Sequence, residues 1–421
     1  MTGRLWVFLS DRRVGFLDEQ NGRLTFGYEP GVATPLSVNL PIRDEPFEDA
    51  QCRPFFNNLL PEGSWRQAVC RQLRIDENND FALLKALGSE CAGAVSLEED
   101  PDWTPTKGVY KQTSEKDLRR WVLNPAARPS MQATPGLRLS LAGAQDKLLI
   151  HLDQGIAYLC ENGAPSSVIL KLDIQDIHNA VKFSGFNELL SSTLAKKCGI
   201  NTAAPFWYAA AYAVHRYDRI VTGKKLTRLH QEDFAQIAGV PSANKYEEQG
   251  GPGWKDSFAI IDSHAAVPAR DRLELLSRLF FNICLGNNDA HAKNFALLHN
   301  PEGGRPALAP AYDLVCTQVY TALSKDMAMK IGGQSNPNNL NGEVWAGFCI
   351  DSGFTFAPLK KLGTEMATHA QSALGSVQKE VEENCPAITE DIYPGRRRSA
   401  FFKDYSAVIR NNCEVLIHSL Q

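Results

Sequence analysis

The stretch ARDRLELLSRLFFNICLG, ending at Gly286, is nearly apolar all round past Leu273. A helix of that composition has to be buried. The chain must therefore build a core around it, and 421 residues leave room for two or three domains. Hydrophobic residues at 43% and charged residues at 22% fit an ordinary soluble globular protein. Directly behind the helix comes GNNDAHAKNFAL, Gly286 to Leu297. It sets an Asp, a His, a Lys and an Asn within a few positions of one another.

Asp289 and Asn294 stand five apart. That is the D-x-x-x-x-N spacing of a kinase catalytic loop, where the Asp takes the proton from the attacking hydroxyl and the Asn holds a magnesium ion. Asp313 follows in AYDLVC, behind a short apolar run, as a second metal-holding carboxylate. Upstream, Lys171 lies in VILKLD, and a lysine there is costly to bury without an anionic partner. Nucleotide phosphates would serve, as would Glu188 on the following helix, where a pairing glutamate belongs. Lys, then Asp and Asn, then Asp is the chain order of a two-lobed phosphotransferase. Taken alone, GNNDAHAKN also reads as a polar turn behind a helix closed by Gly286. Lys171 alone also reads as an edge-strand lysine that snorkels to water. The ordered partners favour the chemical reading.

The first part of the chain is β-rich. RLWVFLS alternates, VGFLD and RLTFGY flank Asn21-Gly22 as a hairpin, and SVNLP at Ser37 adds a strand. PEGSWRQAVCRQLRI reads as a helix opened by Pro61, and FALLKAL as one capped by Asp80 and closed by Gly88. AGAVSL is a further strand. EEDPDWTPTKG is a candidate linker, DLRRWVL a short helix, and NPAARPSMQATPG a mobile stretch. LRLSLAGAQDKLLIHL then reads as strand, small-residue turn, strand, and SVILKLD as a third strand. GFNELLSSTLAKKCG is a helix closed by Gly199, and YAAAYAVHRYDR one apolar strand. LHQEDFAQIAG is a helix closed by Gly239, ANKYEEQGGPGW a glycine-rich loop, and two helices close the chain.

Ser140 to Lys147, SLAGAQDK, is neither a Walker A nor a GxGxxG loop. A turn of small residues between strands still presents backbone N–H groups at close approach, which suits a nucleotide phosphate; a plain tight hairpin is the simpler account. HRYD, His215 to Asp218, sits where a kinase hinge would bond adenine through its backbone, or is an ordinary strand end. Asp289-x-His291 looks like a metal pair, but no HExxH or comparable constellation accompanies it, so His291 is expected to orient the loop. Lys293 is placed to neutralise a transferring phosphoryl group, or is a solvated lysine.

A net charge of −4 argues against strong DNA binding by this chain alone. GRRRS at Gly395 to Ser399 reads as a solvated helix start. No apolar run approaches the roughly 18 residues of a membrane span. MTGRLWVFLSDRR lacks a secretory pattern, so a cytoplasmic protein is expected. The ten cysteines are scattered without a CxxC pair and read as reduced core residues.

Taken in order, SLAGAQDK, ILKLD, HRYDR, RLHQEDFAQIAG, KYEEQGGPG, GNNDAHAKNF and APAYDL resemble the HipA family. Its members are bacterial serine/threonine-protein kinases that act as toxins of type II toxin–antitoxin modules. The resemblance covers nearly the whole chain. It implies an α+β, two-lobed protein-kinase-like fold. The expected segments are an N-terminal α+β subdomain (1–105), a kinase small lobe (106–222) and a helical large lobe (223–421). It implies ATP and Mg2+ as cofactors, with Asp289 as catalytic base and Asn294 and Asp313 as magnesium ligands. Ala142, Gly143, Ala144, Gln145, Asp146, Lys147 and Lys171 match the ATP phosphate contacts, and His215, Arg216 and Tyr217 the adenine hinge. His291, Lys293 and Tyr312 belong to the same nucleotide site. Ser140 matches a serine that relatives autophosphorylate. A phosphate there adds roughly −1.5 to −2 charges beside those of ATP, so the loop should leave its ATP-bound position. Asn287-Asn288 departs from the smaller residues that often precede the Asp. The implied partners are a helix-turn-helix antitoxin of HipB type, operator DNA through that antitoxin, and an aminoacyl-tRNA synthetase as substrate. Two other classes stay open: a metal-dependent phosphoesterase using Asp289, His291 and Asp313, and a non-catalytic scaffold for an antitoxin.

Overall fold

Strands β1 (Gly3–Leu9), β2 (Arg12–Gln20) and β3 (Arg23–Tyr28) form an antiparallel meander. Its second turn is Asn21-Gly22, with φ of 53° and 81°, the two left-handed residues that a tight hairpin needs. The computed structural model describes residues 3–124, 127, 143, 145–174, 181–222, 225–384 and 395–421. Leu5, Val7, Leu17 and Phe26 are buried on the meander. Helices α1 (Asp49–Asn57), α2 (Gly63–Leu73) and α3 (Asp80–Leu87) follow, then β4 (Val95–Glu98), which pairs with β1.

Three local expectations change here. SVNLP is no strand but a turn with one bridge, Ser37 to Leu40. Tyr28 holds that turn, its hydroxyl donating to Leu40 O and accepting from Leu36 N–H. Helix α1 was hidden by Pro54 inside it; Gln51 Oε1 accepts the Glu48 N–H at its start. The cap of α3 is Asn79, whose side chain accepts from Ala82 N–H, while Asp80 is buried between Arg53 (2.9 Å) and Arg66 (2.6 Å).

The expected linker carries Trp103 against Phe8, with ring centroids 5.1 Å apart. It leads into β5 (Val109–Thr113) and α4 (Glu115–Leu123). Strands β6 (Lys147–Asp153), β7 (Ile156–Glu161) and β8 (Val168–Lys171) complete an antiparallel run in the order β5-β7-β6-β8. The strand expected at 137–140 and most of NPAARPSMQATPG lie outside the described residues, as do Ser140, Ala142 and Ala144.

Helix α5 (Ser184–Lys197) is buried over most of its length. YAAAYAV, expected as one strand, is a hairpin of β9 (Pro205–Tyr208) and β10 (Ala211–His215). Its turn is made by Ala209 and Ala210 at φ of 48° and 70°. Strands β11 (Arg219–Thr222) and β12 (Lys225–Arg228) pair with each other. LHQEDFAQIAG begins as strand β13 (Gln231–Asp233) and becomes helix only at α6 (Phe234–Ile237), which Asp233 caps. Helices α7 (Trp254–His264) and α8 (Pro268–Leu285) lead into the polar loop and β14 (Ala296–Leu298), the partner of β13. Helices α9 (Gly342–Ser352), α10 (Phe356–Asn384) and α11 (Gly395–Ser419) close the chain.

These elements form two compact units. The first holds Met1–Leu172, His215–Asn244 and Ala296–Pro306; the second holds Asp173–Val214, Lys245–Phe295 and Ala307–Gln421. The division cuts across the three expected segments. The N-terminal sheet shares a unit with β5 to β8, whereas α5 belongs with the helices, beside α10. Leu275, Leu279, Phe280, Phe281 and Leu285 of α8 are fully buried in the second unit, as its composition requires.

A cluster of buried charges ties the first unit together. Glu90 meets Arg216 (2.8 Å), Arg219 (3.0 Å) and Arg228, and Asp218 meets Arg216 (2.7 Å) and Arg219 (3.0 Å). The nine cysteines among the described residues are free thiols, all buried except the half-buried Cys349. Among the described residues no helix is long and apolar enough to cross a membrane.

Candidate active site

In the second unit the polar loop that starts at Gly286 grows out of the end of α8. Gly286 takes φ 72°, and a side chain there would sit 2.8 Å from Asn412 Nδ2. Conformation and space both call for glycine. The loop is then stitched to a later segment. Asn288 N–H donates to Thr317 Oγ1 (2.9 Å), Thr317 Oγ1 to Gly286 O (3.0 Å), and Ala328 N–H to Asn288 O (2.9 Å).

Asn287 lies at the centre of the loop and is buried. Its Oδ1 accepts the Asp289 N–H at 3.2 Å. Its Nδ2 donates to Asn282 Oδ1 at 3.1 Å and makes a long bond, 3.5 Å, to Asp313 O. Asn294 Nδ2 donates to Asp289 O at 3.0 Å, which leaves Oδ1 as that amide's acceptor end. Tyr312 donates its hydroxyl to Lys293 O at 2.7 Å, and Asp313 adopts φ 58°, unusual for a residue with a side chain. The second unit therefore brings Asp289, Asn294 and Asp313 into one hydrogen-bonded assembly, with His291, Lys293 and Tyr312 around it.

Asp289 is exposed among buried neighbours. Tyr246, from the glycine-rich loop, donates its hydroxyl to Asp289 Oδ1 at 2.7 Å. The Tyr246 ring stands edge-on to His291, with centroids 5.1 Å apart. His291 thus packs against Tyr246. The sequence assigns Tyr246 no role and marks Asn287 only as a departure from the usual pattern. Their partners lie 43 and 26 residues away, and no spacing rule spans such distances.

In the first unit, β6 and β8 pair so that Lys147 stands directly opposite Lys171. Opposed residues of an antiparallel pair share a face, with Cβ atoms about 5 Å apart. Two like charges so placed cost stability unless negative charge answers them. Gly143, at φ 113°, lies over this end of β6; a Cβ there would be 3.0 Å from Lys147 Nζ. Gln145 Nε2 donates to Leu172 O at 2.6 Å, and Leu172 N–H to Asp146 O at 3.1 Å, which ties the loop's second half to the end of β8. A polyphosphate fits this arrangement. Oxygen donors such as Asn294 Oδ1 and the Asp313 carboxylate fit a hard cation such as Mg2+.

The Arg216 N–H donates to Ser167 O at 2.9 Å, and its guanidinium lies in the buried cluster with Glu90 and Asp218. Its side chain therefore serves the fold of the first unit. His215 is exposed and Tyr217 half-buried on either side of it. Lys171 belongs to the first unit and Glu188, which is buried, to the second.

Comparison with known proteins gives concordant results. Residues 139–385 match the HipA-like C-terminal domain, and residues 5–98 the HipA N-terminal domain. Y4mE of Sinorhizobium fredii, whose name marks it as a candidate kinase, is 35% identical over 94% of this chain and 95% of its own length. The serine/threonine-protein kinase toxin HipA of Shewanella oneidensis is 29% identical over 90% of this chain and 87% of its own. Among solved structures, the Shewanella oneidensis complex of HipA, HipB and operator DNA contains a chain that matches with a TM-score of 0.79. The match is 24% identical and covers 97% of this chain and 96% of that one. The α+β, kinase-like fold expected from the sequence is the fold this likeness shows.

Proposed function

The chain belongs to the HipA family, and from that premise we propose that it is an ATP- and Mg2+-dependent serine/threonine-protein kinase, the toxin of a toxin–antitoxin pair. The observation that carries this reading is the grouping of Asp289, Asn294 and Asp313 around Asn287. Bound ATP and Mg2+ would supply the phosphoryl group and the charge that steadies it. Asp289 receives the proton of the substrate hydroxyl on a carboxylate oxygen, and Tyr246 releases Oδ1 for this to happen. Asn294 Oδ1 and the Asp313 carboxylate would hold the cation. Lys147 and Lys171 would meet the phosphates, with Gly143, Gln145 and Asp146 supplying backbone N–H groups. His215, Tyr217 and the backbone carbonyl of Arg216 would meet the adenine.

The Shewanella complex holds HipB and operator DNA beside HipA. That likeness supports a HipB-type antitoxin as partner here, with DNA contacted through it. A net charge of −4 suits this division, since the antitoxin then supplies most phosphate contacts. An aminoacyl-tRNA synthetase is the proposed substrate, and Ser140 the proposed autophosphorylation site.

The test is incubation of the purified chain with labelled ATP and Mg2+. Asp289→Asn should abolish transfer while a thermal shift with ATP and Mg2+ remains. Asp313→Ala should lose both. Mass spectrometry should find phosphate on Ser140 in the unmutated chain. Full transfer by Asp289→Asn would sink the assignment, and hydrolysis of a phosphoester without ATP would point to the phosphoesterase instead.

A further inference from the structure

Strands β13 and β14 run antiparallel, with Gln231 opposite Leu298 and Glu232 opposite Leu297. His299 N–H donates to His230 O at 2.8 Å and continues the ladder by one step. His230 and Glu232 are two apart on one strand, so their side chains share a face. One donor atom from each of His230, Glu232 and His299 lies within 4.8 Å of the others. The two imidazole rings are 4.8 Å apart.

The hydrogen bonds decide which atoms are available. His230 Nε2 faces Leu36 O at 2.8 Å. A carbonyl can only accept, so Nε2 carries the hydrogen and Nδ1 keeps a lone pair. That Nδ1 is buried without a hydrogen-bond partner, on a residue only 8% exposed. A buried acceptor left unsatisfied is costly and calls for a reason. Glu232, wholly buried, accepts from Val38 N–H at 3.2 Å and faces His299 Nε2 at 3.0 Å. His299 is 24% exposed and gives the cluster a path to solvent.

We propose that His230, Glu232 and His299 bind a divalent transition-metal ion of the zinc class, separate from the nucleotide site. Two imidazoles and one carboxylate suit such an ion, whereas Mg2+ and Ca2+ prefer oxygen alone. The ion takes the place of the hydrogen between His299 Nε2 and Glu232, the imidazole then carrying its hydrogen on Nδ1, and a water completes four-coordination. The donors close from 4.8 Å to roughly 3.4 Å, as tetrahedral bonds of about 2.1 Å require. Leu36 O and Val38 N–H already hold His230 and Glu232 as outer partners. The site therefore pins the 36–38 turn of the N-terminal part to β13 and β14.

The test uses the full chain, freed of any affinity tag and treated with chelator. It is titrated with Co2+ and followed by visible absorption, then by displacement with Zn2+. One equivalent should give a d–d band, and Zn2+ should raise the melting temperature. His299→Ala, at a part-exposed position, should keep the far-UV spectrum and weaken Co2+ binding at least tenfold. Asp313→Ala should leave the band unchanged, which separates this site from the nucleotide site. Absence of saturable binding, or equal affinity in His299→Ala, would overturn the proposal.

Discussion

Asn287 uses both ends of one amide, its oxygen on Asp289 N–H and its nitrogen toward Asp313 O. An aspartate could keep the first bond but not donate the second. Asn287→Asp and Asn287→Ala should therefore fold yet misplace the two carboxylates. A misplacement of about 1 Å can cost roughly a hundredfold in rate. We expect that loss in kcat with little change in ATP affinity, measured by single-turnover transfer and calorimetry. A wild-type rate would show that the loop holds itself. Tyr246 acts in the opposite sense, because its hydroxyl occupies Asp289 Oδ1. A hydrogen bond to a charged acceptor contributes about 1.5–3 kcal/mol. Tyr246→Phe should remove that competition and lower KM for a protein substrate by about tenfold. An unchanged or higher KM would make Tyr246 a positioning residue. Asp289 and Asn294 were legible in the sequence because their spacing is local, and Asp313 through its place in the order of the chain. Asn287 read only as a departure from pattern, since what it reaches lies beyond any motif.

At the scale of elements, legibility followed burial pattern and turn chemistry. The apolar surface of α8 and the Asn21-Gly22 hairpin each carry their own signal, and both appear where expected. The β9–β10 hairpin carries none, because alanines occupy its left-handed turn. Only the strands on either side force them there. Ala210→Gly should relieve about 0.5–1 kcal/mol of that strain, raising the melting temperature by a degree or two. A lower melting temperature would mean that Cβ packing at this buried site outweighs the backbone cost. Strand β13 was likewise unreadable: HQED is polar, and only pairing with β14, far along the chain, makes it extended.

Across the whole molecule, each compact unit is assembled from three separate stretches of chain. Such interleaving cannot be read from local composition. The Glu90 cluster shows what the interleaving does. Burial pushes the Glu90 carboxyl up, but Arg228, Arg219 and Arg216 together hold it down at about 2, against an ordinary 4.5. A lowered folded-state value means that the stabilisation is complete above about pH 4.5 and is lost as pH falls toward 2. The melting temperature should drop through that window, and less steeply in Glu90→Gln. At neutral pH that variant, which leaves buried guanidinium groups short of charge, should cost about 3–5 kcal/mol by urea unfolding. A parallel pH profile in the two proteins would remove Glu90 from acid unfolding. Glu90 and Arg228 are 138 residues apart in sequence. At roughly 5–20 residues per second of synthesis, Glu90 emerges from the ribosome roughly 7–28 s before the arginine that completes its surroundings. Through that interval the nascent N-terminal sheet carries a carboxylate it cannot bury. Ribosome-bound chains stalled before Arg216 should accordingly be cut by protease near Glu90, and chains stalled well past Arg228 should resist.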